Sequence, residues 1–272
     1  MKCLSPIQLS HNDDYSFLVP CGSCDVCKEH KIKEWSLRMY HEMDEHEKYS
    51  FITLTYDDEH LPLDESLDVR EMQLFWKRLR KNSKRKFKYY YCGEYGTKNR
   101  RPHYHAILYG FDSSDEDKEL INDSWSKGFV DIGTVTQESI KYCLNYTKKQ
   151  IDNDLKSEYY KSKTPPFQRM SKGIGKNYVS KNKEQLMQNL HITKNGYKYS
   201  IPRYYLKKMD LTEKELLELG AKRLMEIEKY SEKLSKEDPN KISYDEYLDR
   251  EIKKVAQRKL VLQVRKKLKE RS

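Results

Sequence analysis

Apolar residues along this chain recur with two periods, and the switches between them mark its elements. Between Glu29 and Lys48, Ile32, Trp35, Met39 and Met43 recur at helical spacing with no Pro or Gly, which predicts a helix. The next eight residues, Tyr49-Ser50-Phe51-Ile52-Thr53-Leu54-Thr55-Tyr56, are rich in β-formers and end at the polar run 57–62, which predicts a strand. Residues 69–82 read as a second amphipathic helix, with Met72, Phe75, Trp76 and Leu79 inward and Lys77, Arg78, Arg80 and Lys81 outward. Strands are expected over 87–94 and again from Pro102 to Tyr109, joined by the polar loop 96–102 as antiparallel neighbours. A short helix (115–126), a short strand (129–133) and a helix (136–150) follow, the last with Thr136 able to cap and Glu138 in its first turn. Beyond Gln150 the pattern loosens. Residues 164–167 and 171–176 read as basic loops, 197–205 as β-rich but interrupted by Pro202, and 211–235 and 244–269 as charged, thinly apolar helices.

Charge changes the picture more than length does. Charged residues make up 35% of the 272 and hydrophobic ones 36%, so the core is expected to be small for the length and much of the surface solvated or bound. The net charge is +10, and the basic residues come in blocks. Lys77–Arg101 holds eleven against Glu94 alone, Lys141–Lys183 eleven against three acids, and Lys253–Arg271 nine against Glu270. Many of the 22 tyrosines are interleaved with lysine, a pairing that suits single-stranded nucleic acid, where bases stack and phosphates meet cations. Neither a signal peptide nor a membrane span is visible, so a soluble, intracellular protein with reduced thiols is expected.

Three groups of residues carry candidate chemistry. His103 and His105 flank Tyr104 on a strand, so they project from one face while Tyr104 belongs to the packed face. They form a ready pair of metal ligands, with Glu94 across the hairpin as third ligand and Asp57 and Asp58 as alternatives. Cys3, Cys21, Cys24 and Cys27 supply the four thiolates of a tetrahedral structural zinc, Cys3 being distant in sequence, whereas Cys92 and Cys143 read as buried thiols. On the helix over 136–150, Tyr142, Tyr146 and Lys149 share a face, a spacing that fits core packing as well as chemistry.

The order of these motifs resembles that of the HUH endonucleases. It is most similar to the replication initiators of small single-stranded-DNA phages, the microviruses and their gokushovirus branch in particular. The resemblance runs over about residues 3–205. It rests on Pro20–Cys24 with Trp35, Phe51–Tyr56, Gly93–Gly96, Pro102–His105, Tyr142–Lys149 and the loop 170–175, the tyrosines following the histidines. It implies an α+β fold with a central antiparallel sheet flanked by helices, in a chain divided as a Cys-rich segment (1–30), an endonuclease domain (31–205) and a charged helical appendage (206–272). It also implies nicking and rejoining of single-stranded origin DNA for rolling-circle replication. Tyr142 and Tyr146 would be the nucleophiles, Lys149 would stand near the phosphate or the leaving oxygen, and Mg²⁺ or Mn²⁺ would be held by Glu94, His103 and His105. The expected setting is the host bacterial cytoplasm, with host helicase and polymerase as partners and no membrane. The competing readings are a non-catalytic, zinc-dependent DNA-binding protein and an HUH-type transposase.

Overall fold

The computed structural model describes residues 3–11, 15–149, 160 and 162–237. In chain order they form β1 (Ile7–His11), β2 (Tyr15–Val19), α1 (Asp25–Met43), β3 (Tyr49–Tyr56), α2 (Val69–Ser83), β4 (Lys88–Tyr95) and β5 (Pro102–Tyr109). Then come α3 (Asp115–Trp125), β6 (Gly128–Gly133), α4 (Gln137–Lys149), β7 (Phe167–Met170), α5 (Lys176–Asn189), β8 (His191–Lys194), β9 (Tyr197–Ser200), α6 (Arg203–Lys208) and α7 (Glu213–Glu237). The chain separates into two units, residues 31–178 and the two segments 1–30 and 179–272 together, with α1 and α5 running across the boundaries.

Residues 31–178 are built on a five-stranded sheet in the order β6-β3-β5-β4-β7, every neighbouring pair antiparallel. The fold class is therefore α+β with a central antiparallel sheet, as expected. Alternation along β3 sends Ile52, Leu54 and Tyr56 to one face, where they meet Met72, Phe75, Trp76 and Leu79 of α2 and Ile121 and Trp125 of α3. Each of these large, fully buried side chains contributes roughly 1.5–3 kcal/mol of transfer free energy. Asp68 caps α2, its carboxylate accepting from the Arg70 N–H at 2.6 Å. The opposite face carries a second cluster, in which Ile32 and Met39 of α1 and Ile140, Cys143 and Leu144 of α4 pack on Tyr90, Cys92, Ile107 and Tyr109. Cys92 and Cys143 are the buried thiols anticipated above.

One buried carboxylate ties a loop to this second cluster. Glu42 meets Lys88 Nζ and His46 Nε2, each at 2.8 Å, and accepts the Gly175 N–H at 2.7 Å. Burial pushes its carboxyl up, but those three contacts outweigh burial and leave it below the ordinary carboxylate range. Arg38 adds bonds of 3.2 and 3.1 Å to the Ile174 carbonyl, so Ile174 is held in the core between two glycines of positive φ. At the start of β6, Gly128 is forced by space as well as by φ. A Cβ there would lie 2.3 Å from both Asp57 N and Thr55 O.

Several elements depart from the sequence reading. Residues 167–170, expected as loop, add β7 to the edge of the sheet, because β4 and the Ser171 hydroxyl and N–H satisfy their backbone and that of Tyr89. The β-rich stretch from Tyr197 is strand only to Ser200; Pro202 then opens helix α6, which takes Tyr204 and Tyr205. In the other unit, the β1–β2 ribbon and α5 had no counterpart in the sequence reading. Helix α7 matches the helix expected over 211–235, and the helix expected over 244–269 lies outside the described residues. Among the described residues no helix is long and apolar enough to cross a membrane.

Candidate metal and nucleophile site

The site follows from strand register. β4 and β5 pair with Glu94 opposite His103 and Cys92 opposite His105, and directly opposed residues share a face. The connecting turn closes through Gly96 N–H to the Arg101 carbonyl and Arg100 N–H to the Gly96 carbonyl, both 3.0 Å, with Arg100 left-handed at φ 52°. Pro102 begins β5, where a missing N–H is tolerated. Tyr104 points into the other core, as alternation requires. Its hydroxyl meets Tyr56 Oη at 3.0 Å and accepts the Asp68 N–H at 2.8 Å, and burial drives its pKa far up.

His103 Nε2 lies 3.1 Å and His105 Nε2 2.9 Å from the same oxygen, Glu94 Oε1. One donor atom from each of the three residues lies within 4.8 Å of the others. The far side of each ring is held. His103 Nδ1–H donates to the Arg101 carbonyl at 3.1 Å, and His105 Nδ1 is 3.0 Å from Thr53 Oγ1, which register places opposite it. His105 Nε2 is buried and makes no hydrogen bond despite its 2.9 Å approach to the carboxylate, because the approach is off the line an N–H would take. Two acceptors so close repel each other unless a cation lies between them. A carboxylate with two imidazole lone pairs fits Mn²⁺ or Mg²⁺, the imidazoles favouring Mn²⁺. The acids weighed as alternatives are engaged elsewhere, Asp57 with His60 at 2.8 Å and Asp58 with Arg101 at 2.8 Å.

Helix α4 brings the tyrosine. Thr136 and Ser139 cap it reciprocally, at 3.2 and 2.8 Å, and Ile140, Cys143 and Leu144 press it to the sheet. Tyr142, 40% exposed, then reaches back over the histidines. Its O–H donates to Glu94 Oε1, and its ring stands edge-on to His105 at 4.9 Å. Burial raises the Tyr142 pKa, and the Glu94 bond and charge raise it further. Glu94 moves the other way. Burial pushes its carboxyl up, but His103, His105 and Tyr142 together bring it down to about 2. Burial lowers the His103 pKa, and Glu94 and the Arg101 carbonyl more than reverse that. Tyr146 and Lys149 belong to α4, but their side chains lie outside the described residues.

In the unit formed by 1–30 and 179–272, Cys3, Cys21, Cys24 and Cys27 converge, all four sulfurs within 4.8 Å of one another. The separations are 3.4 Å for Cys3–Cys21, 3.8 Å for Cys3–Cys24 and 4.0 Å for Cys21–Cys27. A tetrahedron of sulfurs about 2.3 Å from a zinc ion has edges of about 3.8 Å, which these distances bracket. Backbone N–H groups of Leu4, Ser5, Cys21 and Cys24 point at the sulfurs from 3.3–3.4 Å, the arrangement anionic thiolates require. The fold thus brings the distant Cys3 to the other three.

Fold and site define a class: an α+β protein whose sheet carries a Glu–His–His cluster on its two hairpin strands, faced by a tyrosine from a packed helix. The family described as replication-associated protein ORF2 matches residues 49–151, a stretch that begins with β3 and includes β4, β5 and α4. The replication-associated protein VP4 of Bdellovibrio phage phiMH2K is 32% identical over 245 residues, covering 75% of this chain and 76% of that one. The replication-associated protein ORF2 of Spiroplasma virus 4 is 33% identical over 218 residues (71% and 68%), and ORF4 of Chlamydia phage 1 is 28% identical over 218 (70% and 53%). No solved structure matches the chain. The chain belongs to the family of phage replication-associated proteins, the microvirus-like replication initiators.

Proposed function

We propose that this protein nicks and rejoins single-stranded DNA at a phage origin by tyrosine transesterification, to start rolling-circle replication. One observation carries the reading: the Tyr142 hydroxyl and both imidazole Nε2 atoms converge on a single carboxylate oxygen of Glu94. Mg²⁺ or Mn²⁺ held by Glu94, His103 and His105 would polarise the scissile phosphate and offset charge in the transition state. The tyrosine oxygen attacks phosphorus, the bond to the 3′ oxygen breaks, and the strand leaves with a free 3′-OH. Its 5′ end remains as a phosphotyrosine, which keeps the bond energy for rejoining. Tyr142 is held protonated in the resting site, so it attacks only once the Glu94 charge beside it is compensated. In this reading Tyr146, one turn along α4, is the second nucleophile, which attacks the regenerated junction after a round of copying. Lys149 neutralises the phosphate or the leaving oxygen. The four-cysteine cluster is a separate, structural zinc site. The product is a primed strand for host helicase and polymerase in the bacterial cytoplasm, and the basic blocks supply cations for the phosphates.

Labelled single-stranded oligonucleotides tiled across the phage origin, incubated with the protein and Mn²⁺, test this directly. The expected product is a protein–DNA adduct that survives SDS and is lost when EDTA is added first. A folded protein that gives no adduct on any of them, yet still binds DNA, is a non-catalytic binder and the nicking reading fails.

The protonation states make a second prediction. His103 donates through Nδ1 to Arg101, so it must shed its Nε2 proton before that nitrogen can accept a cation. Its pKa is raised in the metal-free protein. The contact with Glu94 therefore stabilises the fold fully below the ordinary histidine value of about 6.5 and is lost as pH rises through the raised value. Glu94 is depressed, so its share is present above the ordinary value of about 4.3 and is lost as pH falls towards its own. Calorimetric Mn²⁺ titrations should accordingly show affinity climbing by about tenfold per pH unit up to the raised His103 value and levelling above it. An affinity independent of pH across that range would place the ion elsewhere.

A further inference from the structure

Strand β3 carries a residue whose role neither its spacing nor the chemistry above assigns. Thr53 lies opposite His105 in the β3–β5 ladder, with Oγ1 3.0 Å from Nδ1. The neighbouring Phe51, on the same face of β3, lies nearly parallel to the His105 ring, at 2° and 5.6 Å between centroids. Together they fix the plane of the imidazole and offer its inner nitrogen one hydroxyl.

Two arrangements are chemically open. Either the ring proton is on Nδ1 and Thr53 Oγ1 accepts it, or it is on Nε2 and the threonine O–H donates to Nδ1. In the second, Nε2–H would donate to Glu94 Oε1, 2.9 Å away, yet Nε2 is buried and makes no hydrogen bond. We propose that Thr53 is a positioning residue that holds His105 as the Nδ1–H tautomer, so that the Nε2 lone pair faces the Glu94 carboxylate. His103 is held in the same sense by the Arg101 carbonyl, which can only accept. Both imidazoles thereby present the outer nitrogen to one point, by a backbone carbonyl in one case and a side-chain hydroxyl in the other. The consequence for metal affinity rests on His105 being a ligand, as in the proposed function; the tautomer itself does not. Outer partners of this kind orient the ring and raise its basicity.

Long-range ¹H–¹⁵N spectra of the metal-free protein read the tautomer directly, at a pH well above the ordinary imidazole pKa of about 6.5. The wild type should show His105 protonated on Nδ1, Thr53→Ser should keep that state, and Thr53→Val should move it towards Nε2–H. A wild-type His105 already protonated on Nε2, or a folded Thr53→Val whose tautomer is unchanged, overturns the proposal. In Mn²⁺ titrations Thr53→Val should bind about 10- to 100-fold more weakly, with Thr53→Ser restoring wild-type affinity. Equal affinities in all three proteins would overturn the positioning role. A wild type with the expected tautomer and no Mn²⁺ uptake would instead reject the metal reading of the site.

Discussion

Replacing Tyr142 and Tyr146 together by phenylalanine is expected to abolish the SDS-resistant adduct, lowering nicking by more than about a thousandfold. Either single change should leave one cleavage. The expectation comes from placement. Tyr142 presents its hydroxyl at the oxygen shared by both histidines, while its ring rests edge-on against His105. Removing the oxygen therefore takes away the nucleophile and leaves the ring contact. Because Tyr142 is 40% exposed, little packing is lost, and the folded structure should persist by thermal melting. Tyr104→Phe is the matched control. Its hydroxyl bridges Tyr56 and the backbone of Asp68 in the opposite core, so that change should lower the melting temperature and leave the adduct intact. An adduct that persists in the double variant places the nucleophile on another residue.

The distinction between those tyrosines was legible in the sequence because strand alternation is a two-valued rule: with His103 and His105 on one face, Tyr104 has only the other. The same rule, with the hairpin, brought Glu94 to the histidines. β3, β4, β5 and α2 were recognisable from periodicity alone, since each presents one apolar face to a single core. What escaped was whatever depends on partners far along the chain. Residues 167–170, Phe-Gln-Arg-Met, carry no strand signal of their own and become β7 because β4 offers a free edge. Tyr204 and Tyr205 are residues that favour strands, yet Pro202 starts a helix through them. Thr53 stood in plain view in Thr-Leu-Thr, but only the β3–β5 register shows that it faces His105 Nδ1.

The four cysteines carry the second large expectation, one zinc ion per folded chain, retained in native mass spectrometry and absent from Cys24→Ser. Four thiols crowded within 4.8 Å resist ionising together. Burial raises Cys27 to about 12, with the neighbouring sulfurs of Cys24 and Cys3 adding to it. Burial also acts against Cys21, but hydrogen bonds from Ser23 and Cys24 bring that thiol down to about 6. A dication removes the conflict by holding all four as thiolates, and structural zinc in small sites is bound with an apparent free energy of about 10–16 kcal/mol at neutral pH. Its loss should act locally. Cys3 precedes β1, Cys21 follows β2, and Cys24 and Cys27 bracket the start of α1, so the ion closes the base of the β1–β2 ribbon. The two cores around the central sheet draw their residues from 32–174 and owe nothing to the cysteines of that cluster. Chelation or Cys24→Ser should therefore expose residues 3–24 to protease while preserving the near-ultraviolet circular dichroism of the buried Trp76 and Trp125. A folded, metal-free wild type with four readily alkylated thiols and a protease-resistant ribbon would show that the thiols pack without an ion.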